Sequence, residues 1–248
     1  LFSFGLGNLL WHVGPALIFR HFKPATVGMG NKHLLEKIIS GGHELSIHGY
    51  DHADWANRCR EYTATETRHQ VDAAVSEFRK MFGEATWSWV SPNWRCNDHL
   101  FAYLETLGGD YSSDARGCEP FYPRIGSSIC NVLQLPVSLP CLHELSQCGI
   151  SKFSWANVVR QCLQPDYNHL NIHAYYEGLF ERRSFSRFMG ECVRDGLRFI
   201  PLSSGYELAV ENSVNSDELS HVNLPGGIGE VSCQRRFLSD NYFAKIDP

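Results

Sequence analysis

Close cysteine pairs, basic runs, internal repeats and low-complexity tracts are all missing from this chain of 248 residues. Its nine cysteines stand at irregular intervals with no Cys-x-x-Cys among them. Disulfide frameworks belong to shorter chains and zinc ribbons need close pairs, so these residues read as reduced thiols of a cytosolic compartment. Basic clusters are few and short, such as Arg182-Arg183 and Arg235-Arg236, and the net charge is −5. A phosphate backbone asks for a basic face, and nucleic acid is therefore not an expected partner. No basic stretch precedes the apolar start, so a signal peptide is not expected either.

What remains is the composition of an ordinary folded domain, 43% hydrophobic and 20% charged, long enough for one large unit. We expect a main domain over residues 1–212, with a loop-rich extension over 213–248 that contains Pro225-Gly226-Gly227 and Gly229. Leu1–Phe19 holds no Asp, Glu, Lys or Arg and is long enough to cross a bilayer. Gly5, Gly7, Gly14 and Pro15 interrupt it, together with Ser3, Asn8 and His12. The expectation is instead a strand end at Leu1–Phe4, a glycine turn and one or two short helices, serving as a core element or as an apolar lip on a membrane surface.

Downstream, strand-like and helix-like runs alternate. Helices are expected at Asn31–Ser40, Thr63–Phe82, Asp98–Leu107, Ser151–Leu163 and Phe185–Asp195, most of them stopped by glycine. Strands are expected at Glu44–Ile47, Ala85–Val90, Tyr111–Ser113, Val132–Leu139, Leu170–Ala174 and Leu197–Pro201, with Pro136 placing the fourth at an edge or bulge. Repeated strand-then-helix units predict an α/β fold with a parallel sheet or barrel, whose chemistry gathers at the C-terminal ends of the strands.

Several chemically able residues fall at those ends. Gly42-His43-Glu44-Leu45-Ser46-Ile47 leads into His48-Gly49-Tyr50-Asp51-His52. Two imidazoles on one tight loop can converge on a divalent ion, with nitrogens about 2 Å away. An ion so held polarises a carbonyl and acidifies water. The same pattern also fits a pair of surface histidines with Asp51 forming the turn. Trp94 and Arg95 follow the strand at 85–90, Asp114 and Arg116 follow Tyr111–Ser113, and His173 ends the run at 170–174. Singly, these read as a packing Trp, a surface ion pair, a cap and a core histidine. On successive strand ends they read as one site.

The segments His43–Trp55, Trp94-Arg95, Ser113–Gly117, Leu135–Pro140 and Ile172–Ala174 with Glu177-Gly178 closely resemble, in order, the NodB-type polysaccharide deacetylases (carbohydrate esterase family 4). Within that superfamily the likeness is closest to the deformylase branch acting on 4-deoxy-4-formamido-arabinose linked to undecaprenyl phosphate. The resemblance implies an incomplete, distorted (β/α) barrel and a metal-dependent hydrolase of a sugar N-acyl group. It assigns His48 and His52 as metal ligands for zinc, manganese or cobalt. His173 would protonate the leaving amine, Arg95 would position the catalytic-base carboxylate, and Asp114 matches the carboxylate of the fourth motif.

The family's Asp-x-Asp strand, source of the base and third ligand, has no counterpart before Phe2-Ser3-Phe4-Gly5, so the barrel is expected to lack its first strand. Asp51 lies between the two histidines and is a poor third ligand, and Tyr175 stands where the deformylase branch carries Glu. The expected substrate is an N-formyl or N-acetyl aminosugar on polyprenyl phosphate, in lipid A or cell-envelope modification. Trp94 and Arg116 are expected to contact its sugar or phosphate. Leu9-Leu10-Trp11 would hold the chain peripherally on the cytoplasmic face of the inner membrane. A chitin- or peptidoglycan-type deacetylase and a non-catalytic carbohydrate-binding relative are the rival readings.

Overall fold

The structure, a computed structural model, describes residues 28–85, 87–151, 153–227 and 229–238. The expected elements of Leu1–Phe19, including the apolar lip at Leu9-Leu10-Trp11, lie outside the described residues.

The helices follow local signals. Helix α1 spans Lys32–Ser40, and α2 spans His52–Arg58. The longest, α3 (Ala64–Phe82), opens on a capping box. Thr63 Oγ1 accepts from Glu66 N–H at 3.3 Å, and the Glu66 carboxylate accepts from Thr63 N–H at 2.8 Å, which satisfies two otherwise orphaned donors. Thr67, Val71, Ala74, Val75 and Phe78 make its buried stripe, and Gly83 ends it at φ 65°. Helix α4 (Asp98–Thr106) is capped by Asn97, whose side chain accepts from Leu100 N–H at 2.9 Å.

Strands β1 (Trp89–Val90), β2 (Tyr111–Ser113) and β5 (Leu133–Gln134) form a parallel sheet in the order β1-β2-β5. Ile47 adds a parallel bridge to Trp89. Ile47, Trp89, Ser112 and Gln134 therefore share one row, and the chain leaves all four segments at the same edge. The expected strand at Glu44–Ile47 pairs only at Ile47. That at Val132–Leu139 shortens to β5, because Pro136 has no N–H for a ladder, and Val137 then bridges Arg116. Among the described residues the sheet does not close into a barrel; the architecture is α/β around a short parallel sheet.

Helices α5 (Leu142–Gln147), α6 (Trp155–Gln161), α7 (Arg182–Arg194) and α8 (Leu202–Val210) complete the helical part. A second sheet takes the order β4-β3-β6-β7, from β3 (Tyr122–Ile125), β4 (Ser128–Ile129), β6 (Ser216–Asn223) and β7 (Glu230–Gln234). Here the loop expected after Asn212 is corrected: β6 and β7 pair antiparallel over five residues, and β6 lies parallel to β3.

Two further expectations fail. Residues 170–174 and 197–201 form no strand. Leu170 and Leu197 pack on the core, while Ile172, Phe199 and Ile200 stay exposed. The backbone bonds with the sheet region go through His169, whose carbonyl accepts from Ser138 and Leu139 N–H at 3.1 and 3.0 Å.

The core has two parts. One joins Trp55, Val71, Phe78, Trp89, Leu100, Phe101 and Leu104. The other joins Leu142, Leu145, Trp155, Val159, Phe188, Cys233 and Phe237. All nine cysteines are free thiols, eight of them buried. No helix among the described residues is long and apolar enough to cross a membrane.

Candidate functional site

The turn after Ile47 is tight. Gly49 has φ 75°, and a Cβ on it would stand 3.1 Å from the Pro92 ring, so a glycine suits the position on both counts. The two histidine rings that flank this turn lie 5.1 Å apart between centroids. Asp51 caps α2 through Oδ1, which accepts from the N–H groups of Ala53 and Asp54, both at 3.0 Å. That supports the turn-forming role of Asp51 and makes His52 the first residue of the helix.

His48 Nδ1 sits 2.9 Å from the carbonyl oxygen of Val90. A carbonyl only accepts, so Nδ1 carries the hydrogen and Nε2 presents its lone pair to the site. Both side chains are exposed, yet neighbouring protein partly desolvates each ring. This desolvation is the main cause of a lowered pKa at each. The Val90 bond opposes it at His48, where the His52 and His173 charges add to the lowering. At His52, Asp51 opposes it and His173 reinforces it. The structure thus brings His173 into electrostatic reach of both, and the pair is biased to the neutral form that metals bind.

His173 is held by reciprocal bonds. Its backbone N–H donates to Glu177 Oε2 at 2.7 Å, and Glu177 N–H donates to the His173 carbonyl at 3.0 Å. Glu177 is 1% exposed and lies in the first turn of the π-helical segment Tyr176–Phe180, a geometry often found beside functional sites. Sequence reasoning gave Glu177 no role, although its spacing from His173 was a signal. Glu44 was missed in the same way. It accepts from Ser203 N–H at 2.9 Å, from Ser88 Oγ at 3.1 Å and from the Tyr111 hydroxyl. Ser88 in turn meets Ser46 Oγ at 2.7 Å, and its carbonyl accepts from Ile47 N–H at 2.8 Å. Glu44 thereby ties the segment carrying His48 to β1, β2 and the start of α8.

The remaining candidates sit deeper. Asn93 and Trp94 form a turn with φ values of 54° and 50°, a conformation that asparagine adopts readily and that is strained for a side chain as bulky as tryptophan. Trp94 is half-buried, with the Arg116 guanidinium 5.0 Å from its ring centroid. Arg95 donates through Nε to the Glu230 carbonyl at 2.9 Å and through Nη1 to the Ala56 carbonyl. Asp114 is fully buried; its Oδ2 accepts from Gln134 Nε2 at 3.0 Å. Burial raises its pKa, with Ser112, Ser91 and Gln134 pulling the other way. Its side-chain bonds go to none of the three histidines.

Arg116 requires a correction. Expected to touch substrate, it is 1% exposed. Its guanidinium pairs with Glu144 and donates to the carbonyls of Val137 at 2.9 Å and Leu139 at 3.1 Å. It joins the two sheets, with bridges to Val137 and Cys233.

A divalent ion fits part of this site. His48 offers Nε2 in a fixed tautomer, and His52 offers a second neutral imidazole. Among the described residues no three His, Cys, Asp or Glu side chains cluster as a metal site.

Residues 18–112 match the family model of the polysaccharide deacetylases. A protein of Wigglesworthia glossinidia brevipalpis, named a probable 4-deoxy-4-formamido-L-arabinose-phosphoundecaprenol deformylase, is 24% identical over 205 residues, covering 82% of this chain and 71% of that protein. A protein of Shewanella sediminis with the same name is 24% identical over 217 residues, 86% of this chain and 69% of its own length. In fold, the chain is similar to a Mycobacterium smegmatis crystal structure described as a polysaccharide deacetylase. There the TM-score is 0.58 at 18% identity, over 79% of this chain and 72% of that one. These likenesses bear out the resemblance read from His43–Trp55 and the later segments.

Proposed function

We propose that this chain, similar over residues 18–112 to the polysaccharide deacetylases and over most of its length to two named deformylases, removes an N-formyl group from an aminosugar carried on polyprenyl phosphate. Those relatives make it a hydrolase of amide C–N bonds; the formyl group and the carrier are our reading, supported by the names of the two deformylases. N-acetyl is the alternative acyl group. A substrate of this kind brings the chain to a membrane surface.

The observation that carries the proposal is the histidine pair at the sheet edge, with His173 acting on both through its charge. His48 is fixed as an Nε2 donor by Val90, His52 lies beside it, and His173 is near enough to influence both. His48 and His52 would hold a divalent ion. Such an ion supplies Lewis acidity toward the amide carbonyl and acidifies water. His173 holds the proton that the departing nitrogen needs, since an amine leaves as a neutral species only when protonated. Glu177 keeps the His173 backbone in place. Glu44 and Val90 keep His48 at its angle.

The test is release of free amine from N-formylated and N-acetylated aminosugars by the parent chain and by His173→Asn. Loss of general acid–base catalysis should lower kcat roughly 10²- to 10⁴-fold, with metal binding retained. Unchanged turnover in His173→Asn would contradict the assignment.

A further inference from the structure

Helix α7 is amphipathic in an uncommon sense. Phe185, Phe188, Met189 and Cys192 face the second core cluster at the spacing of one helical stripe. Arg183, Arg187 and Arg194 recur on the opposite side and are all exposed. None of the three forms an ion pair among the described residues. The acids of the last turns, Glu191 and Asp195, are both engaged by Arg160 of α6.

Only Arg194, in the last turn, suits the helix dipole; Arg183 and Arg187 do not. The first turn contains no acid and begins with two arginines, the wrong sign for the positive end of the helix dipole. The stripe is also a concentration of uncompensated positive charge on a chain whose net charge is −5. Apolar side chains flank it at both ends. Phe180 is 50% exposed just before the helix, and Phe199 and Ile200 are 51% and 47% exposed just after it. The charge alone would also suit nucleic acid or an acidic protein; the substrate's lipid carrier favours a bilayer. Arginine interspersed with exposed aromatic and aliphatic groups is the pattern of an element that rests on anionic lipid headgroups.

We propose that this face of α7 docks on an anionic bilayer surface. It rests on the reading that the substrate rides on a polyprenyl phosphate, and it adds where the chain meets the membrane. The π-helical turn at Tyr176–Phe180 runs directly from the helix to the bonds that hold His173. The contact expected at Leu9-Leu10-Trp11 lies outside the described residues; the α7 face stands without it.

The test is co-sedimentation of the full chain with phosphatidylethanolamine–phosphatidylglycerol vesicles and with phosphatidylcholine vesicles. It is run alongside hydrolysis of a soluble N-formyl aminosugar. The parent should bind the anionic vesicles only, and less as salt rises. The triple variant R183E/R187E/R194E should lose at least roughly 100-fold in partition, about fivefold per arginine removed. It should hydrolyse the soluble sugar like the parent. The milder R183Q/R187Q/R194Q serves if charge reversal disturbs folding, and should lose partition in the same direction.

Equal binding to both vesicle types would overturn the proposal, as would unchanged partition in a folded triple variant. Preferential capture by a duplex oligonucleotide would also overturn it, in favour of a nucleic-acid face. Anionic binding lost in the variant, with no hydrolysis by the parent, would keep the docking face and defeat the deformylase reading instead.

Discussion

Replacing Glu144 by alanine strips the counter-charge from a guanidinium that is 1% exposed. The carboxylate does two things. It pairs with Arg116, and its Oε2 accepts from Cys141 N–H at 2.9 Å where α5 begins. Removing one partner of a buried pair leaves an uncompensated charge and costs about 3–5 kcal/mol. At roughly 2–4 °C per kcal/mol for a chain of this size, the melting temperature should drop by about 10 °C. The double variant Arg116→Met/Glu144→Leu removes both charges and should be clearly more stable than Glu144→Ala, because no bare charge remains. Denaturant unfolding followed by circular dichroism on the parent, Arg116→Met, Glu144→Leu and the double variant measures the coupling. A loss under about 1 kcal/mol in Glu144→Ala would refute the interior placement of the pair and reopen Arg116 as a substrate contact.

Burial pushes the imidazole of His169 down to about 4, against the pull of its Leu135 and Pro136 contacts. A free histidine titrates near 6.5, so protons bind the unfolded chain first. Its contribution to stability should therefore fall by ~3 kcal/mol as pH drops from about 6.5 to about 4; unfolding curves across that window should fall more steeply in the parent than in His169→Gln, by about that amount. A Cβ on Gly226, at φ 70°, would stand 2.1 Å from the Glu144 carbonyl oxygen, so Gly226→Ala should lower stability by at least about 2 kcal/mol in the same assay. Asp51→Ala should cost about 1 kcal/mol as a lost cap. Asp51→Asn should retain both the stability and the metal affinity of the parent, and a large loss of affinity there would make Asp51 a ligand.

Much of the architecture was legible because its causes are local. Thr63 and Glu66 announce α3, its apolar residues recur at helical spacing, and Gly83 stops it. Tyr111–Ser113 was read with its observed bounds. The closeness of His48 and His52 was legible as well, since the two flank one tight turn. What failed depends on distant neighbours. Arg116 looked like a ligand-binding arginine, because nothing near it in sequence reveals that Glu144 lies against it. The runs at 170–174 and 197–201 were apolar enough for core strands, but an apolar run does not say whether a neighbour exists to cover it. The hairpin of β6 and β7 hid behind Pro225-Gly226-Gly227 and the polar composition of Ser216–Asn223, a strand without a fully buried residue. Glu44 and Glu177 bond mainly to backbone and hydroxyl groups that only the folded chain assembles.

The central claim is that His48 and His52 together hold the ion that serves amide hydrolysis. Metal content after equilibration with zinc, manganese or cobalt, and release of amine from an N-formyl aminosugar, should be measured side by side on the parent, His48→Ala and His52→Ala. The account predicts metal and turnover in the parent and loss of both in each variant, with folding intact because both rings are solvent-exposed. Metal content and turnover unchanged in His48→Ala would contradict it.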